Sequence, residues 1–246
     1  MENWLKYNNF NSKKIVSGTT VKNRQLFNSF SLALHTGDNI EEIHKNREFF
    51  KKQFNNNVKI VTLKQIHSDK IVNIDEIELL NAWVELPIEA DAMVTTKRGI
   101  LLNIMTADCL AIIAADESNG IIGAAHAGWR GTKQEIVKKL VKKMLTLGAE
   151  IENIKCAIAP GICGKCYEVG QEVANEFIEY PQALKQKENG KWLFDNREVN
   201  IAQLKELGIK AENIEYTGYC TYCDNDKFFS YRKGDIKGRF VTFIGF

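Results

Sequence analysis

The stretch "TADCLAIIAADESNGIIGAAHAGWRGTKQEI", residues 106–136, decides the fold class. Its two apolar runs, "CLAIIAA" (109–115) and "GIIGAA" (120–125), are too short for helices and read as buried strands. A helix follows them. Thr132 and Glu135 have the spacing of a capping box, and Ile136, Val137, Leu140, Val141, Met144 and Leu145 recur at helical period. Gly148 suits the C-terminal cap.

Working outward, "ILLNIM" (100–105) is another buried strand, and "VKIVTL" (58–63) and "KIVNI" (70–74) are strands joined by "KQIHSD", which carries His67. Helical patterns cover about 41–54, 169–180 and 197–207. "KQKENGK" (185–191) is a surface hairpin or loop, and the C-terminal "FFSYRKGDIKGRFVTFIGF" (228–246) reads as two strands joined by a Gly-containing turn. Strands and helices are mixed without regular βαβ alternation. The expected class is α+β, a layered α/β sandwich with mixed sheets. No linker divides the chain, so residues 1–246 are expected to form a single catalytic domain.

Composition narrows the function. The 33 basic and 31 acidic residues leave a net charge of +2 and are interspersed, which gives no electrostatic footprint for nucleic acid or an anionic membrane. Lys138, Lys139, Lys142 and Lys143 fall on the polar face of the helix after residue 132, a solvated surface. The opening "MENWLKYNNFNSKK" has no apolar core of a signal peptide, and no run approaches the length of a membrane span. A cytoplasmic protein is expected, with its six cysteines as thiols, metal ligands or nucleophiles. A monomer is compatible with the sequence, which does not fix the oligomeric state.

His67, Cys109 and His126 each stand at a strand edge beside a turn. A thiolate and two imidazoles would give three zinc ligands with a fourth position open, the pattern of catalytic sites. Taken singly, each has a structural reading: a satisfied core or surface histidine, or a small buried thiol. "HAGWRGT" (126–132) adds an anion-binding loop, with Gly residues, the start of a helix, and Arg130 as a forked cation for phosphate. The alternative is an ordinary strand-to-helix turn with Trp129 in the core and Arg130 in an ion pair.

"KQIHSDKIV", "ADAMVTTKRGILLNIMTADCLAII", "GAAHAGWRGT", "IAPGICGKCYEVG", "GKWLFDN" and "CTYCDNDKFFSYRKGDIKGRF" resemble, in order, the blocks of the YfiH-type laccase-domain family. The resemblance runs from about Ser29 to Phe246, and "TADC" with "HAGWRG" is its most specific part. That family was first described as polyphenol oxidases and later as zinc-dependent purine nucleoside phosphorylases. The resemblance implies that His67, Cys109 and His126 bind catalytic zinc. It also implies purine nucleosides (adenosine, inosine and methylthioadenosine) and phosphate as substrates, with adenosine deaminase activity beside phosphorolysis. The implied fold resembles that of a bacterial toxin deamidase with a Cys–His site. Ser31-Leu32-Ala33 stands where the family usually has Asn-Leu-Gly, and the usual Gly-Gly-x-Ser turn upstream is not evident. The metal motif is intact.

Beside the thiolate, Asp108 is a candidate general acid/base, or else the partner that fixes a ligand imidazole. Cys163-x-x-Cys166 and Cys220-x-x-Cys223 have the paired spacing of a second, structural zinc site, although the resemblance assigns them no metal. Three other readings stay open. One is a metal-free hydrolase with Cys109 as nucleophile and His126 as base. Another is a non-catalytic role such as peptidoglycan quality control. The third is a copper oxidase, whose mononuclear and trinuclear centres would need about twelve ligands at about three per metal. Four histidines fall short of that, leaving adventitious copper in the His-Cys-His site with weak polyphenol oxidase activity.

Overall fold

The computed structural model describes residues 3–246 except 11, 13 and 56, so four residues of the N-terminal stretch lie outside the described residues. In chain order the strands are β1 (Trp4–Leu5), β2 (Val16–Thr20), β3 (Lys59–Lys64), β4 (Ile71–Asn73), β5 (Trp83–Glu89), β6 (Ala92–Thr95), β7 (Ile100–Thr106) and β8 (Leu110–Asp116). They continue as β9 (Ile121–Ala127), β10 (Lys155–Ile158), β11 (Glu168–Val169), β12 (Leu184–Gln186), β13 (Trp192–Phe194), β14 (Ile214–Tyr216) and β15 (Phe240–Gly245). The helices are α1 (Ile40–Lys51), α2 (Trp129–Lys133), α3 (Ile136–Thr146), α4 (Gln171–Asn175) and α5 (Asn196–Glu206).

Two six-stranded mixed sheets form the centre. The first has the order β1-β2-β15-β7-β3-β5, and the second β14-β10-β8-β9-β6-β4. Parallel pairs (β3 with β5 and β7, β4 with β6, β10 with β14) sit beside antiparallel ones. Alternation along the buried strands assigns each face. Ile113, Ala115, Ile122 and Ala124 of the second sheet meet Leu102, Ile104 and Ile244 of the first, while Ile112, Ala114, Ile121 and Ala125 face α3. On the outer face of the first sheet, Leu101, Val241 and Phe243 pack against Phe50 of α1. The stack is therefore α1, sheet, sheet, then α3 and α5, the layered α/β sandwich expected from the sequence. A small third sheet, β11-β13-β12, lies outside it.

The helix after the decisive stretch differs in its start. The chain makes the short α2, passes through Glu135 in a left-handed conformation (φ 58°), and begins α3 at Ile136. The expected capping box is absent because Thr132 is buried and its hydroxyl accepts from Asn200 Nδ2 at 3.0 Å. Ile136, Val137, Leu140, Val141 and Met144 are buried as expected, and each fully buried aliphatic stabilises by about 1.5–3 kcal/mol. Leu145 is not part of that face; it is exposed. Gly148, with φ 102°, ends the helix as expected.

Two other expectations need correction. The pattern over 169–180 yields only the short α4, and the chain then turns so that Phe177 stacks on Phe194 at 4.4 Å. The C-terminal segment holds one strand, β15, and residues 228–239 form a loop. Asp235 ties that loop by accepting from Ser230 N (2.9 Å), Asn225 Nδ2 (2.6 Å) and Lys22 Nζ (2.9 Å). No helix among the described residues is long and apolar enough to cross a membrane.

Candidate active site

The chain crosses repeatedly between the two sheets, and two of the crossings at one end carry site residues. Residues 65–70 lead from β3 to β4 and hold His67; residues 107–109 lead from β7 to β8 and hold Asp108 and Cys109. Each crossing turns through a non-glycine residue in the left-handed region, His67 at φ 61° and Asp108 at φ 89°. Such backbone costs on the order of 1–3 kcal/mol and persists only where its surroundings fix it. The register of the second sheet supplies the third residue. Leu110 pairs with Ala127 and Ala111 with His126, so His126 near the end of β9 lies beside the start of β8.

Asp91, immediately before β6, fixes the first crossing. Its buried carboxylate accepts from the amides of Ile66 (3.2 Å), His67 (3.0 Å) and Ser68 (2.6 Å), and from the Ser68 hydroxyl (2.7 Å). It also receives His126 Nδ1 at 2.8 Å, which leaves Nε2 of that ring for the site. Burial acts to raise the Asp91 pKa, but His126 and Ser68 outweigh it and bring it down to about 2. This is the imidazole-fixing carboxylate that the sequence reading offered to Asp108. Its signal was one acidic residue inside the apolar "ADAMV".

His67, Cys109 and His126 converge. One ligand atom from each lies within 4.8 Å of the others; Cys109 Sγ is 3.9 Å from His67 Nε2, and the two rings meet edge to face at 4.7 Å. His126 is buried, Cys109 half-buried and His67 exposed, so the group is open on one side. Burial alone would raise the Cys109 thiol and lower His126. Contact with His126 and His67 instead brings Cys109 down to about 6, and Asp91 with Cys109 lifts His126 to about 9.

The group fits a metal ion. The thiolate and two neutral nitrogens are the donor set of an open zinc site. Gly128 shows that the space is kept clear: a Cβ there would lie 2.9 Å from His67 Cδ2 and 3.2 Å from Cys109 Sγ.

The group opens into a cavity of about 950 Å³, within the range of small-molecule sites. Leu63, Met105, Ile162, Trp129, Tyr167 and Tyr231 give it apolar and aromatic walls, and Arg232 and Arg239 bring positive charge. Asp108 also lines it, with Oδ1 accepting from Thr221 Oγ1 (2.6 Å) and Oδ2 from Arg232 N (2.7 Å). Arg130 is not among the residues that line the cavity; it is exposed, its guanidinium 4.4 Å from the ring centre of Trp129, which does line it. The anion loop expected at 126–132 loses its long helix, since α2 ends at Lys133 and α3 starts anew at Ile136 after the left-handed Glu135. Arg232 and Arg239 lay unrecognised within the quoted C-terminal block.

A layered sandwich of two mixed sheets with a His-Cys-His group opening into an aromatic-walled cavity defines a class, and comparison with known proteins agrees. Residues 17–246 match the family model described as multi-copper polyphenol oxidoreductase laccase, and the chain belongs to this YfiH-type family. It is 37% identical over 198 residues to adenosine deaminase RL5 from an unknown prokaryotic organism, covering 76% of this chain and 74% of that one. It is 28% identical to purine nucleoside phosphorylase YlmD of Bacillus subtilis (strain 168), covering all of this chain and 93% of the relative. The crystal structure of YlmD from Geobacillus stearothermophilus superposes with a TM-score of 0.86 at 28% identity, over 99% of this chain and 96% of that one. The names of these relatives indicate an enzyme of the purine nucleoside phosphorylase and adenosine deaminase kind.

Proposed function

We propose that the chain acts as one catalytic domain, residues 1–246, that cleaves adenosine, inosine and methylthioadenosine with phosphate and also deaminates adenosine. The observation that carries this reading is the convergence of His67, Cys109 and His126 at the head of an aromatic cavity with two arginines in its wall. In phosphorolysis a phosphate oxygen forms the bond to C1′ of the ribose, the C1′–N9 bond breaks, and the purine leaves with a proton. In deamination water adds at C6 and ammonia leaves.

Zinc held by His67, Cys109 and His126 would supply Lewis-acid polarisation of an oxygen ligand. The remaining work falls to the chain. Trp129, Tyr167 and Tyr231 offer faces on which a purine stacks and exclude water from it. Arg232 and Arg239 orient the phosphate, and the exposed Arg130, beside Trp129, adds attraction from outside the cavity lining. Asp108, each of whose oxygens accepts one hydrogen bond, relays the proton: from phosphate to the departing purine in phosphorolysis, and from the attacking water to the departing ammonia in deamination. Asp91 holds the His126 ring and the His67 backbone in place throughout.

Chromatography of nucleosides incubated with the purified protein, with and without phosphate, tests this reading. Free base and a ribose phosphate formed only with phosphate are the expected products, with inosine from adenosine as the second activity. Intact nucleosides under both conditions would refute it.

One observation favours a second reading. Without metal, a Cys109 thiolate faces a His126 imidazolium oriented by Asp91, the geometry of a cysteine hydrolase. That chemistry needs Cys109 and His126 but not His67, so an active His67→Ala variant selects it. Adventitious copper in the same three residues is the form in which weak phenol oxidation would arise, and added copper should then be required for it.

A further inference from the structure

We propose that Cys163, Cys166, Cys220 and Cys223 hold a structural zinc ion that staples two loops of the cavity wall together. The four sulfurs come from two segments far apart in sequence and lie within 4.8 Å of one another, with Cys166 Sγ 3.4 Å from Cys223 Sγ. A tetrahedral zinc with Zn–S bonds of about 2.3 Å separates its sulfurs by about 3.8 Å, so small shifts seat the ion. Two disulfides would need each sulfur close to one partner only, at about 2.05 Å, and give no reason for all four to cluster.

The backbone is shaped for the same end. Residues 163–166 turn tightly, with Cys166 N and Tyr167 N both donating to Cys163 O at 2.9 Å, and residues 220–224 close similarly through Asp224 N on Cys220 O at 2.8 Å. Cys163 N points at Cys220 Sγ at 3.3 Å, a donor that stabilises thiolate charge. Gly164 lets the first turn lie against Asp195, where a Cβ would come within 2.6 Å of that residue's Cβ. Apart from the cysteines, the two turns are joined by the bridge between Gly161 and Cys220 and by Thr221 N on Gly161 O at 3.1 Å. An ion bound by both pairs would add the strongest tie between them.

The tie matters to the cavity. Ile162 and Tyr167 flank the first pair and line it, while Thr221, inside the second pair, donates to Asp108 beside Cys109. Zinc at the four cysteines would therefore hold the wall and the Asp108 carboxylate in position without touching substrate.

The test is zinc analysis with X-ray absorption on the wild-type protein and on the double variant His67→Ala/Cys109→Ala, which disables the other group and spares this one. The wild type should carry two zinc ions per chain. The double variant should keep one, bound by four sulfurs at about 2.3 Å. Cys166→Ser/Cys223→Ser should lose that signal and melt at lower temperature. No zinc in the double variant, zinc with nitrogen or oxygen ligands, iron in its place, or a Cys166–Cys223 disulfide found by mass spectrometry would each overturn the proposal. The two cysteine pairs contribute nothing to the His-Cys-His group, so a protein inactive on nucleosides whose double variant still holds sulfur-bound zinc would refute the nucleoside reading alone.

Discussion

Asp91 accepts from three backbone amides, a hydroxyl and an imidazole, so one carboxylate sets both the strained turn at His67 and the tautomer of His126. Asp91→Asn keeps the size but turns an NH2 group toward donors. Metal affinity should fall about 10–100-fold, the usual cost of losing such an outer partner, as measured by titration with zinc. Unchanged affinity would mean that the ligands are held by something else. The depressed Asp91 pKa also has a sign: it contributes stability above about pH 3.9, and this is lost as pH falls toward 2. The half-buried thiol of Cys109 and the core thiol of Cys156 on β10 should separate chemically as well. In metal-free protein the thiolate of Cys109 forms above about pH 6, so alkylation there should accelerate through pH 6 and then level off. Cys156, pushed up to about 12 by burial, should stay unmodified until the protein unfolds; mass spectrometry of labelled peptides reads both.

At the scale of elements, two glycines mark close approaches with different consequences. A Cβ at Gly128 enters the His-Cys-His group, whereas a Cβ at Gly123 meets Leu140 Cδ1 at 2.9 Å and Met144 Sδ at 3.2 Å beneath α3. Gly128→Ala should therefore lose metal with little change in melting temperature. Gly123→Ala should keep metal and lose about 1–3 kcal/mol in denaturant unfolding, as overpacked cores do. The reverse pattern would contradict the assigned geometry. The strands of this core were legible because β7, β8 and β9 are buried along their whole length, so Asn103 is the one polar residue within the quoted runs and His126 and Asp116 fall near strand ends. The helix start at Thr132 was not, because its hydroxyl answers to Asn200, a residue 68 positions away. The second C-terminal strand failed likewise: Asp235 gathers Lys22, Asn225 and Ser230 and knots the segment into a loop, a contact set no local pattern contains.

In the whole molecule, the site exists only because the crossings that follow β3 and β7 fall at the same end of the sandwich, beside the end of β9. That is why His67, Cys109 and His126 could be named through motif resemblance while Asp91, Arg232 and Arg239 could not: their roles come from the crossing geometry. The positions of the arginines separate their effects. Arg232→Ala should remove a charged contact within the cavity, worth about 1.5–3 kcal/mol, and raise the KM for phosphate about 10–100-fold. Arg130, exposed and outside the cavity lining, should change it only a few-fold, more at low salt than at high. Equal effects would place Arg130 on the phosphate itself. The most direct measurement of the central claim is phosphate-dependent nucleoside cleavage by protein stripped of metal with a chelator, its metal content quantified, and then titrated with zinc. Cleavage should vanish with the metal and return with occupancy of the His67, Cys109 and His126 group in the wild type, and not return in Cys109→Ala. Full activity in the metal-free protein would contradict the account.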